Sequence, residues 1–262
     1  MGELSGMVAV VTGASRGIGA SVAERLAQAG AAVAVTARTA HEGDHPFEGS
    51  VATVVDQINE NGGRAIPIPA DLSVQDDRQR IVDTATAELG PIDILVNNAA
   101  ITYFEPVSEF TERHYRLMFE VQVRAPFELA QLVLPGMRER KRGWIVNISS
   151  GAARHPVGPP YAGRIGGGGT VYGMCKAALE RFTTGLASEV YEDGVAVNVV
   201  SPSGLVVTPG VKHHRLDEFT PPERQEPVEV MAEAVYALAT GDPATLTGKV
   251  TYAKEILAEL GR

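Results

Sequence analysis

The chain has 262 residues, 44% of them apolar, and a formal net charge of −9. This length allows one α/β domain with a full core, and the acidic balance argues against nucleic acid or an anionic membrane as the main partner. A single cysteine excludes a disulfide framework and a cysteine-based zinc site. Without a signal peptide or a membrane-length apolar run, we expect a soluble cytoplasmic protein.

The first predicted elements are a strand, a glycine-rich turn and a helix. Met7 to Val11 is a continuous apolar run, and apolar residues from Val22 to Ala27 follow helical spacing. The glycines of the turn let the backbone approach a diphosphate, and the helix N-terminus offers unpaired N–H groups. This arrangement predicts a dinucleotide site with the candidate residues Gly13, Ser15, Arg16, Gly17, Ile18 and Gly19.

The second predicted strand, Ala31 to Thr36, ends where the adenosine ribose lies in a dinucleotide fold. An acid at this position would bind the 2′-hydroxyl of NAD, but none is present before Arg38. Two guanidiniums, those of Arg16 and Arg38, suit a 2′-phosphate. The residues therefore favour NADP, with NAD as the alternative and two merely solvated arginines as the plainer interpretation.

A polar loop from His41 to Gly49 precedes a predicted helix over Val51 to Asn61. Its two histidines and its acids raise the question of a metal ion. The glycines and proline around them supply no rigid scaffold, so we predict no metal site.

A third strand, Arg64 to Pro69, leads to Asp71 and Leu72 and then to a helix over Gln75 to Leu89. Asp71 emerges at the carboxyl edge of the predicted sheet, where this architecture places ligand contacts. Its carboxylate either holds an adenine amino group or caps a turn, and the sequence does not separate the two.

Two further strand ends carry polar side chains. Ile92 to Val96 is followed by Asn97-Asn-Ala-Ala100, and Trp144 to Ile148 is followed by Ser149-Ser150. Parallel strands meet with their carboxyl ends at one sheet edge, so these amides and hydroxyls are expected to line the cofactor groove. The long helix between them, Glu112 to Arg140, is predicted to be interrupted near its prolines, Pro126 and Pro135.

Tyr172 and Lys176 lie one turn apart in a predicted helix that continues through Leu186. A tyrosine pKa is about 10, and a fixed positive charge nearby favours the phenolate, so the pair suits acid–base chemistry on an alcohol or carbonyl. Spacing alone leaves chance pairing as the alternative. Cys175, beside the lysine, is interpreted as a packed small residue rather than a reactive thiol.

The last part of the chain continues the alternation of strands and helices. Its predicted elements are a strand over Val195 to Val200, a helix over Val228 to Thr240, a strand over Gly248 to Tyr252 and a helix over Ala253 to Leu260. Residues 151–171 and 209–227 are predicted as substrate-side loops. The alternation predicts a doubly wound parallel sheet in a single α/β domain over residues 1–262.

In this order the pieces resemble the short-chain dehydrogenase/reductase family over nearly the whole chain. The resemblance rests on five motifs: Thr12-Gly-Ala-Ser-Arg-Gly-Ile-Gly19, Asp71-Leu72, Asn97-Asn-Ala-Ala100, Asn147-Ile-Ser-Ser150 and Tyr172-Gly-Met-Cys-Lys176. It implies a Rossmann-type fold and assembly as a homodimer or homotetramer through the helices at Glu112 and Tyr172.

The resemblance also implies roles for individual residues. Tyr172 would be the catalytic acid/base, Lys176 would lower its pKa and hold the nicotinamide ribose, and Ser150 would polarise the substrate oxygen, with Ser149 as the reserve. The cofactor contacts it implies beyond the glycine turn are those of Arg38, Asp71, Leu72, Asn97, Ala99, Tyr172, Lys176, Pro202 and Thr208.

Three departures from the family pattern bear on these roles. Gln122 falls where the family carries an asparagine that positions a water for the lysine, so the proton relay is altered. The interval from Ser150 to Tyr172 is longer than usual, and Ser203 follows Pro202 where glycine is common. The resulting prediction is an NADP-dependent oxidoreductase that interconverts a carbonyl and an alcohol. The alternatives are an NAD-preferring dehydrogenase and a non-catalytic NAD(P)-binding sensor or scaffold.

Overall fold

A computed structural model describes residues 2–159, 161 and 168–262. The strands are β1 (Val8–Thr12), β2 (Ala32–Ala37), β3 (Arg64–Pro69), β4 (Ile94–Asn97), β5 (Gly143–Ile148), β6 (Val195–Ser201), β7 (Leu205–Val206), β8 (Gln225–Glu226) and β9 (Val250–Tyr252). The α-helices are α1 (Gly17–Gln28), α2 (Val51–Glu60), α3 (Gln75–Leu89), α4 (Glu112–Phe119), α5 (Ala125–Arg140), α6 (Thr170–Glu189), α7 (Pro209–His213), α8 (Val228–Thr240) and α9 (Ala253–Glu259).

Seven strands form one parallel sheet in the order β3-β2-β1-β4-β5-β6-β9. The chain winds outward from β1 to β3, returns to the centre at β4 and then winds the other way. The strand order therefore reverses between β1 and β4, and a doubly wound sheet binds its ligand in the crevice at that switch point. This architecture confirms the predicted α/β class and the doubly wound parallel sheet.

The central strands are apolar because both faces of the sheet are covered. All residues of β1, β4, β5 and β6 are buried, as expected for a parallel sheet between two helical layers. Helices α1, α2, α8 and α9 pack on one face, and α3, α5 and α6 pack on the other. Both cores leave the carboxyl edge of the sheet, with its polar strand ends, open for a site.

The long helical segment is interrupted just before Pro126, as predicted, but it continues through Pro135. A five-residue π-helical turn, Glu120–Arg124, joins α4 to α5 without a break in the chain direction, and Pro135 lies inside α5. The N–H of Ala125 donates to the carbonyl of Glu120, five residues back, so the turn widens just before Pro126. Wider winding relieves the clash that a proline ring makes with the preceding helical turn.

Arg78 is a buried cation, only 1% exposed, between the end of β3 and the start of α5. Its Nη1 donates to the carbonyl of Leu72 at 2.5 Å and to Glu120 Oε1 at 3.0 Å, and its Nε donates to Glu128 Oε2 at 2.7 Å. A buried charge needs such partners to offset its lost hydration. Arg78 thereby ties the turn after β3 to the π-helical turn.

The two predicted loops are more regular than their composition suggests. Residues 209–227 contain α7, two 3₁₀ turns (Asp217–Phe219 and Pro222–Arg224) and β8, which pairs with β7. In the other segment a 3₁₀ turn spans Gly151–Ala153, and residues 160 and 162–167 lie outside the described residues. The assignment of both segments to the substrate side stays a prediction. Within the described part of the chain, no helix is long and apolar enough to cross a membrane.

Candidate active site

The turn after β1 is fastened to the turn after β4. The Thr12 hydroxyl accepts hydrogen bonds from the backbone N–H groups of Asn98 (3.0 Å) and Ala99 (3.1 Å). In return the Asn98 amide donates to the carbonyls of Thr12 (2.9 Å) and Gly13 (3.1 Å). Thr12 and Asn98 stand in the two sequence motifs, but their role in joining the turns was not predicted. They hold the two walls of the switch-point crevice together.

Three glycines of this turn leave no room for a side chain. A Cβ on Gly19 would lie 2.4 Å from the carbonyl oxygen of Gly13, and one on Gly13 would lie 2.7 Å from Ala99 Cα. Gly17 has a φ of +57°, and its Cβ would lie 3.0 Å from the methyl group of Thr208. The turn is thus a bare backbone cradle. Such a cradle fits the diphosphate of a dinucleotide.

Helix α1 directs its N-terminus into this cradle. Its first turn carries no acidic residue, and no side chain caps it. The first N–H groups of a helix have no partner inside the helix, and they carry the positive end of its dipole. Ser15 is buried beneath the turn and Ile18 is partly buried against the core. The cradle can therefore hold an anion without a basic side chain in contact with it.

The two arginines predicted for a 2′-phosphate have different surroundings. Arg16 donates through Nε to the carbonyl of Glu48 (2.8 Å), and through Nη2 to the carbonyls of Phe47 (3.2 Å) and Gly49 (2.5 Å). Its guanidinium therefore anchors the 41–49 loop and is not merely solvated. Arg38 directly follows β2 and is exposed, with no ion pair among the described residues.

Asp71 caps a turn, which was one of its two predicted roles. Its Oδ1 accepts from the backbone N–H of Ser73 (2.9 Å) and from the Ser73 hydroxyl (2.8 Å). Its other oxygen, Oδ2, accepts no hydrogen bond from the described residues, so the adenine contact stays a prediction. Leu72 is buried, and its carbonyl is held by Arg78.

The Asn97 side chain points into the sheet. Its Nδ2 donates to Asn147 Oδ1 at 2.8 Å, and the Asn147 amide donates to Thr183 at 2.8 Å. Asn97 is 4% exposed, and its Oδ1 is a buried acceptor without a partner among the described residues. The side chain therefore braces β4 against β5. A contact with the cofactor ribose would have to use the remaining acceptor.

The two serines after β5 have different hydrogen-bond partners. Ser149 is buried, and its hydroxyl donates to Glu180 Oε1 at 2.6 Å, so its hydrogen is committed. The Ser150 hydroxyl accepts from the N–H of Ala152 at 3.2 Å and interacts with the phenol of Tyr172. That interaction lowers the pKa of Tyr172, so the Ser150 hydroxyl acts in it as the donor, and a substrate oxygen would replace the phenol as its acceptor. The geometry therefore favours Ser150, with Ser149 in a supporting position.

Lys176 lies behind Tyr172 and is only 3% exposed. Its Nζ donates to the carbonyl of Ile148 at 2.9 Å and lies 5.6 Å from the centre of the Tyr172 ring. Burial disfavours the ammonium and lowers the pKa of Lys176 to about 8, although Cys175 and Glu180 act in the opposite direction. The lysine therefore titrates close to the physiological range.

The Tyr172 phenol differs from expectation. Burial raises its pKa above the ordinary value, and the hydrogen bond with Ser150 opposes that rise only in part. Lys176 is not among the groups that shift this pKa, so the predicted lowering by the lysine does not appear in the structure. The phenol is consequently protonated at neutral pH, which makes it a proton donor.

Gln122 occupies the π-helical turn, and its side chain is almost fully buried. Its Nε2 donates to the carbonyl of Ile101 at 2.9 Å, while its Oε1 is buried without a partner among the described residues. Single π turns are frequent at functional sites, and a buried acceptor without a donor is unfavourable. The longer arm of glutamine thus reaches the loop after β4 and leaves one acceptor for a water or a ligand.

An aromatic wall made of Phe104 and His214 borders Tyr172. The Phe104 ring meets the Tyr172 ring edge-on at 6.1 Å, and the His214 ring meets Phe104 at 5.0 Å. The ring of the preceding residue, Tyr103, instead stacks on His114 at 3.7 Å. Phe104 and His214 were missed, because only the folded chain brings the loop after β4 beside the end of α7.

The remaining predicted residues lie on the same side of the sheet. Thr208 accepts from the N–H of Val211 at 3.3 Å and so caps α7, with its methyl group over Gly17. Pro202 directly follows β6. Cys175 is fully buried, and burial raises the pKa of its thiol to about 11, which fits a packed and unreactive residue.

No cluster of three or more histidine, cysteine, aspartate or glutamate side chains in the described ranges is arranged to hold a metal ion.

Comparisons with known proteins identify the family of this chain. A family model described as short chain dehydrogenase matches residues 7–218. A short chain dehydrogenase of Pseudocercospora fijiensis is 39% identical over 206 residues, which is 78% of this chain and 61% of that protein. The 3-oxoacyl-(acyl-carrier-protein) reductase of Vibrio cholerae is 33% identical over 258 residues, covering 95% of this chain and 96% of that protein.

Among solved structures, a metagenomic short-chain oxidoreductase in complex with NADP has a TM-score of 0.77 and 31% identity. The alignment covers 95% of this chain and 97% of that one. The chain thus spans 61% of the Pseudocercospora protein and nearly the whole of the other two. The chain belongs to the short-chain dehydrogenase/reductase family, and the predicted enzyme class, an NAD(P)-dependent short-chain dehydrogenase/reductase, is confirmed.

Proposed function

We propose that this protein is an NADP-dependent oxidoreductase that interconverts a ketone or aldehyde and an alcohol. The observation that carries the proposal is the Tyr172 phenol beside the Ser150 hydroxyl, with the buried Lys176 behind them. These three groups lie at the carboxyl edge of the sheet, which also carries the glycine cradle. An acid, a hydrogen-bond donor and a cofactor site are thereby placed together.

Each residue has a definite role in this reaction. The nicotinamide, when bound, supplies or accepts a hydride. Tyr172 gives a proton to the substrate oxygen during reduction and takes one during oxidation. Ser150 donates a hydrogen bond to the same oxygen, which stabilises the negative charge that develops there. Lys176 provides a positive charge near the phenol and donors for a ribose.

The protonation of the site favours the reductive direction. Because burial raises the pKa of Tyr172, the group is a neutral phenol at physiological pH. A neutral phenol is ready to protonate an alkoxide, whereas oxidation of an alcohol first requires its deprotonation. The resting site is therefore in the protonation state that reduction needs, while the ratio of NADPH to NADP sets the direction of net turnover.

The preference for NADP rests mainly on Arg38. It is the first residue after β2, where the adenosine ribose lies in this fold, and its side chain is exposed. No acid occupies this strand end to bind a 2′-hydroxyl. The metagenomic relative in complex with NADP supports the same preference.

The substrate wall supports a carbonyl compound with an apolar or aromatic flank. Phe104 borders Tyr172, and Thr102 places its hydroxyl 3.4 Å from His214 Nε2 at the rim of the wall. The wall is thus aromatic with a polar edge. The 3-oxoacyl reductase relative makes 3-oxoacyl thioesters one class to test, and aryl ketones are the class that the aromatic rings favour.

Assembly as a homodimer or homotetramer is also part of the proposal. Tyr115 on α4 and Phe127 on α5 are 37% and 45% exposed, and Phe127 packs edge-on against Phe182 of α6 at 5.8 Å. An exposed aromatic strip of this kind favours contact with a second copy. Sedimentation of the wild type and of Phe127→Glu tests it, and we expect the variant to dissociate. A cytoplasmic location, supported by the single cysteine, completes the proposal.

The cofactor preference is tested by titrating the protein with NADPH and NADH and following nicotinamide fluorescence at one salt concentration. We expect tighter binding of NADPH, and Arg38→Ala should remove most of the difference. Arg64→Ala is the matched control, because Arg64 begins β3 and so lies at the opposite edge of the sheet. NADPH binding no tighter than NADH binding in the wild type would show that the preference is wrong.

Turnover is tested with a panel of 3-oxoacyl thioesters and aryl ketones, read as NADPH consumption. Reduction of any member supports the oxidoreductase. The rival function is a non-catalytic NAD(P)-binding sensor or scaffold, which Gln122 in place of the family asparagine supports. Tight cofactor binding without turnover of any member, and without a gain in the Gln122→Asn variant, would favour that rival.

A further inference from the structure

Residues 41–49 form a loop that the proposed reaction does not use. Arg16 fastens this loop to the glycine turn through the carbonyls of Phe47, Glu48 and Gly49. The loop also contacts α7, because the Phe47 ring lies 5.0 Å from the ring of His213. It is therefore held on both sides, by the start of α1 and by α7.

His45 has a fixed orientation within this loop. Its ring meets the Phe47 ring edge-on at 4.6 Å, and its Nδ1 lies 3.1 Å from the backbone N–H of Phe47. That N–H donates to Nδ1, so the neutral ring carries its hydrogen on Nε2. Nε2 is consequently a hydrogen-bond donor even when the histidine is uncharged.

The groups that face His45 are basic. Arg16 joins the end of β2 to this loop, because its Nη2 lies 3.3 Å from Thr39 Oγ1, next to Arg38, and 3.2 Å from the carbonyl oxygen of Phe47. Burial lowers the pKa of His45, and the positive groups of Arg16, Arg38 and His213 lower it further. Within its own loop, Glu42 is bonded to the N–H of Gly49 and to Thr53, and Asp44 to the N–H of His41. Among the described residues, no acid is found to raise the pKa of His45 against this lowering.

A concentration of positive groups at the end of β2 is suited to a doubly charged anion. Arg16 is already engaged with the loop carbonyls, so it contributes charge and support. Arg38 and His45 have donors that remain available. A phosphate dianion between them would remove the mutual repulsion of the cluster and would favour protonated His45.

We propose that His45 is a further specificity-determining residue, which binds the 2′-phosphate of NADP together with Arg38 and takes up a proton from solvent as it does so. This inference rests on the proposed preference for NADP. The only bond that forms is the N–H bond at Nδ1, and its proton comes from a buffer acid, which is left as its conjugate base. When Nδ1 is protonated, it can no longer accept the hydrogen bond from the Phe47 N–H. It then becomes a second N–H donor of the ring, beside Nε2.

Calorimetric titration in two buffers of different ionisation enthalpy tests the proposal, because it measures both affinity and protons taken up. We choose about pH 7.5, where a phosphate monoester with a second pKa of about 6 is already a dianion. Any proton taken up on binding is therefore bound by the protein and not by the phosphate. The ligands are NADP and NAD. The variants are His45→Gln, which keeps a donor but cannot be protonated, and His41→Gln as the control from the same loop.

In the wild type and in His41→Gln we expect proton uptake with NADP and a smaller uptake, or none, with NAD. His45→Gln should lose that extra uptake and bind NADP about tenfold more weakly, with its NAD affinity unchanged. A His45→Gln variant that keeps both the uptake and the affinity for NADP overturns the role of His45. If the wild type binds NADP no tighter than NAD, the proposed cofactor preference itself fails, and the two failures are thus distinguishable.

Titration with the fragments 2′,5′-ADP and ADP repeats the comparison without the nicotinamide half. A His45 effect on 2′,5′-ADP alone supports the phosphate contact. An equal effect on both fragments contradicts it, because that result would place His45 at the diphosphate or in the stability of the loop.

Discussion

The cofactor cradle and the substrate wall lie on either side of Tyr172, and they are built in different ways. The cradle is made of backbone atoms, with Asn98 and Thr12 bonding two turns together and glycines in contact with their neighbours. The wall is made of side-chain rings from two separate segments, with Phe104 meeting His214 edge-on. In the cradle, a side chain in place of a glycine would clash with backbone atoms. In the wall, one ring can be replaced by another apolar side chain with a smaller loss of contact. We therefore expect the cofactor cradle to tolerate fewer substitutions than the aromatic wall.

The largest expected effect lies at the junction of the two regions. Tyr172→Phe removes the proton donor and should lower kcat about 1,000-fold, because positioned acid–base groups contribute 10²–10⁴-fold. NADPH affinity should stay within about twofold, since the cradle is untouched. Steady-state rates with any reducible panel member and a fluorescence titration measure the two. The control is Tyr191→Phe, which changes an exposed tyrosine just after the C-terminal end of α6. If the Tyr172→Phe enzyme were as active as this control, the catalytic role of Tyr172 would be contradicted.

The cradle alone is broken by Gly19→Ala. The added methyl group would meet the Gly13 carbonyl oxygen at 2.4 Å and the Asn98 amide at 2.5 Å. Overpacking of this kind costs about 1–3 kcal/mol, so NADPH affinity should fall about tenfold to a hundredfold. Gly185→Ala is the matched control, because its methyl group would meet only the flexible end of Arg181. Equal NADPH affinity in the two variants would show that the cradle is less tightly packed than described.

The wall alone is broken by Phe104→Ala. Loss of the ring beside Tyr172 should raise KM for an aryl ketone about tenfold, since a buried aromatic contact is worth about 1 kcal/mol or more. The affinity for NADPH should be unchanged. Phe104→Leu, which keeps an apolar side chain, should lie between the variant and the wild type. A fall in NADPH affinity instead would mean that Phe104 belongs to the cradle.

The smallest expected effect is the pH dependence of kcat for reduction, which we attribute to Lys176. Lys176 has a pKa lowered to about 8, so its side chain is mostly charged at pH 7, half charged at about pH 8 and mostly neutral at higher pH. If the charge supports the reaction, kcat for reduction should fall about fourfold between pH 7 and pH 8.5. Lys176→Arg keeps the charge to higher pH, and its lower activity should show no such fall. A wild-type profile without a fall in that range would remove Lys176 from the proton chemistry.

The sequence predicts the strands, the helices and the cofactor cradle better than it predicts the aromatic wall. The bounds of β3, α3 and α8 were predicted to the residue, because proline, glycine and apolar spacing define them locally. The cradle was also predictable, since its motif lies between a strand and a helix. Which serine faces Tyr172 was settled by one hydrogen bond, from Ser149 to Glu180, that no local pattern encodes.

The substrate wall and the loop contacts were beyond local reasoning. Phe104 and His214 are separated by more than a hundred residues, and the helical order of residues 209–227 was hidden by their proline content. The direction of the Tyr172 pKa also depends on its burial, which the spacing of Tyr172 and Lys176 cannot reveal. Tertiary packing decides such features, so they require the structure.

Arg78 carries an evolutionary consequence. This buried cation satisfies the carbonyl of Leu72 in the turn after β3 and two carboxylates, Glu120 in the π-helical turn and Glu128 in α5. Removal of one partner from a buried ion pair costs about 3–5 kcal/mol, whereas joint replacement of all partners by apolar residues is often neutral. Positions 78, 120 and 128 are therefore expected to change together among relatives, as one inherited unit.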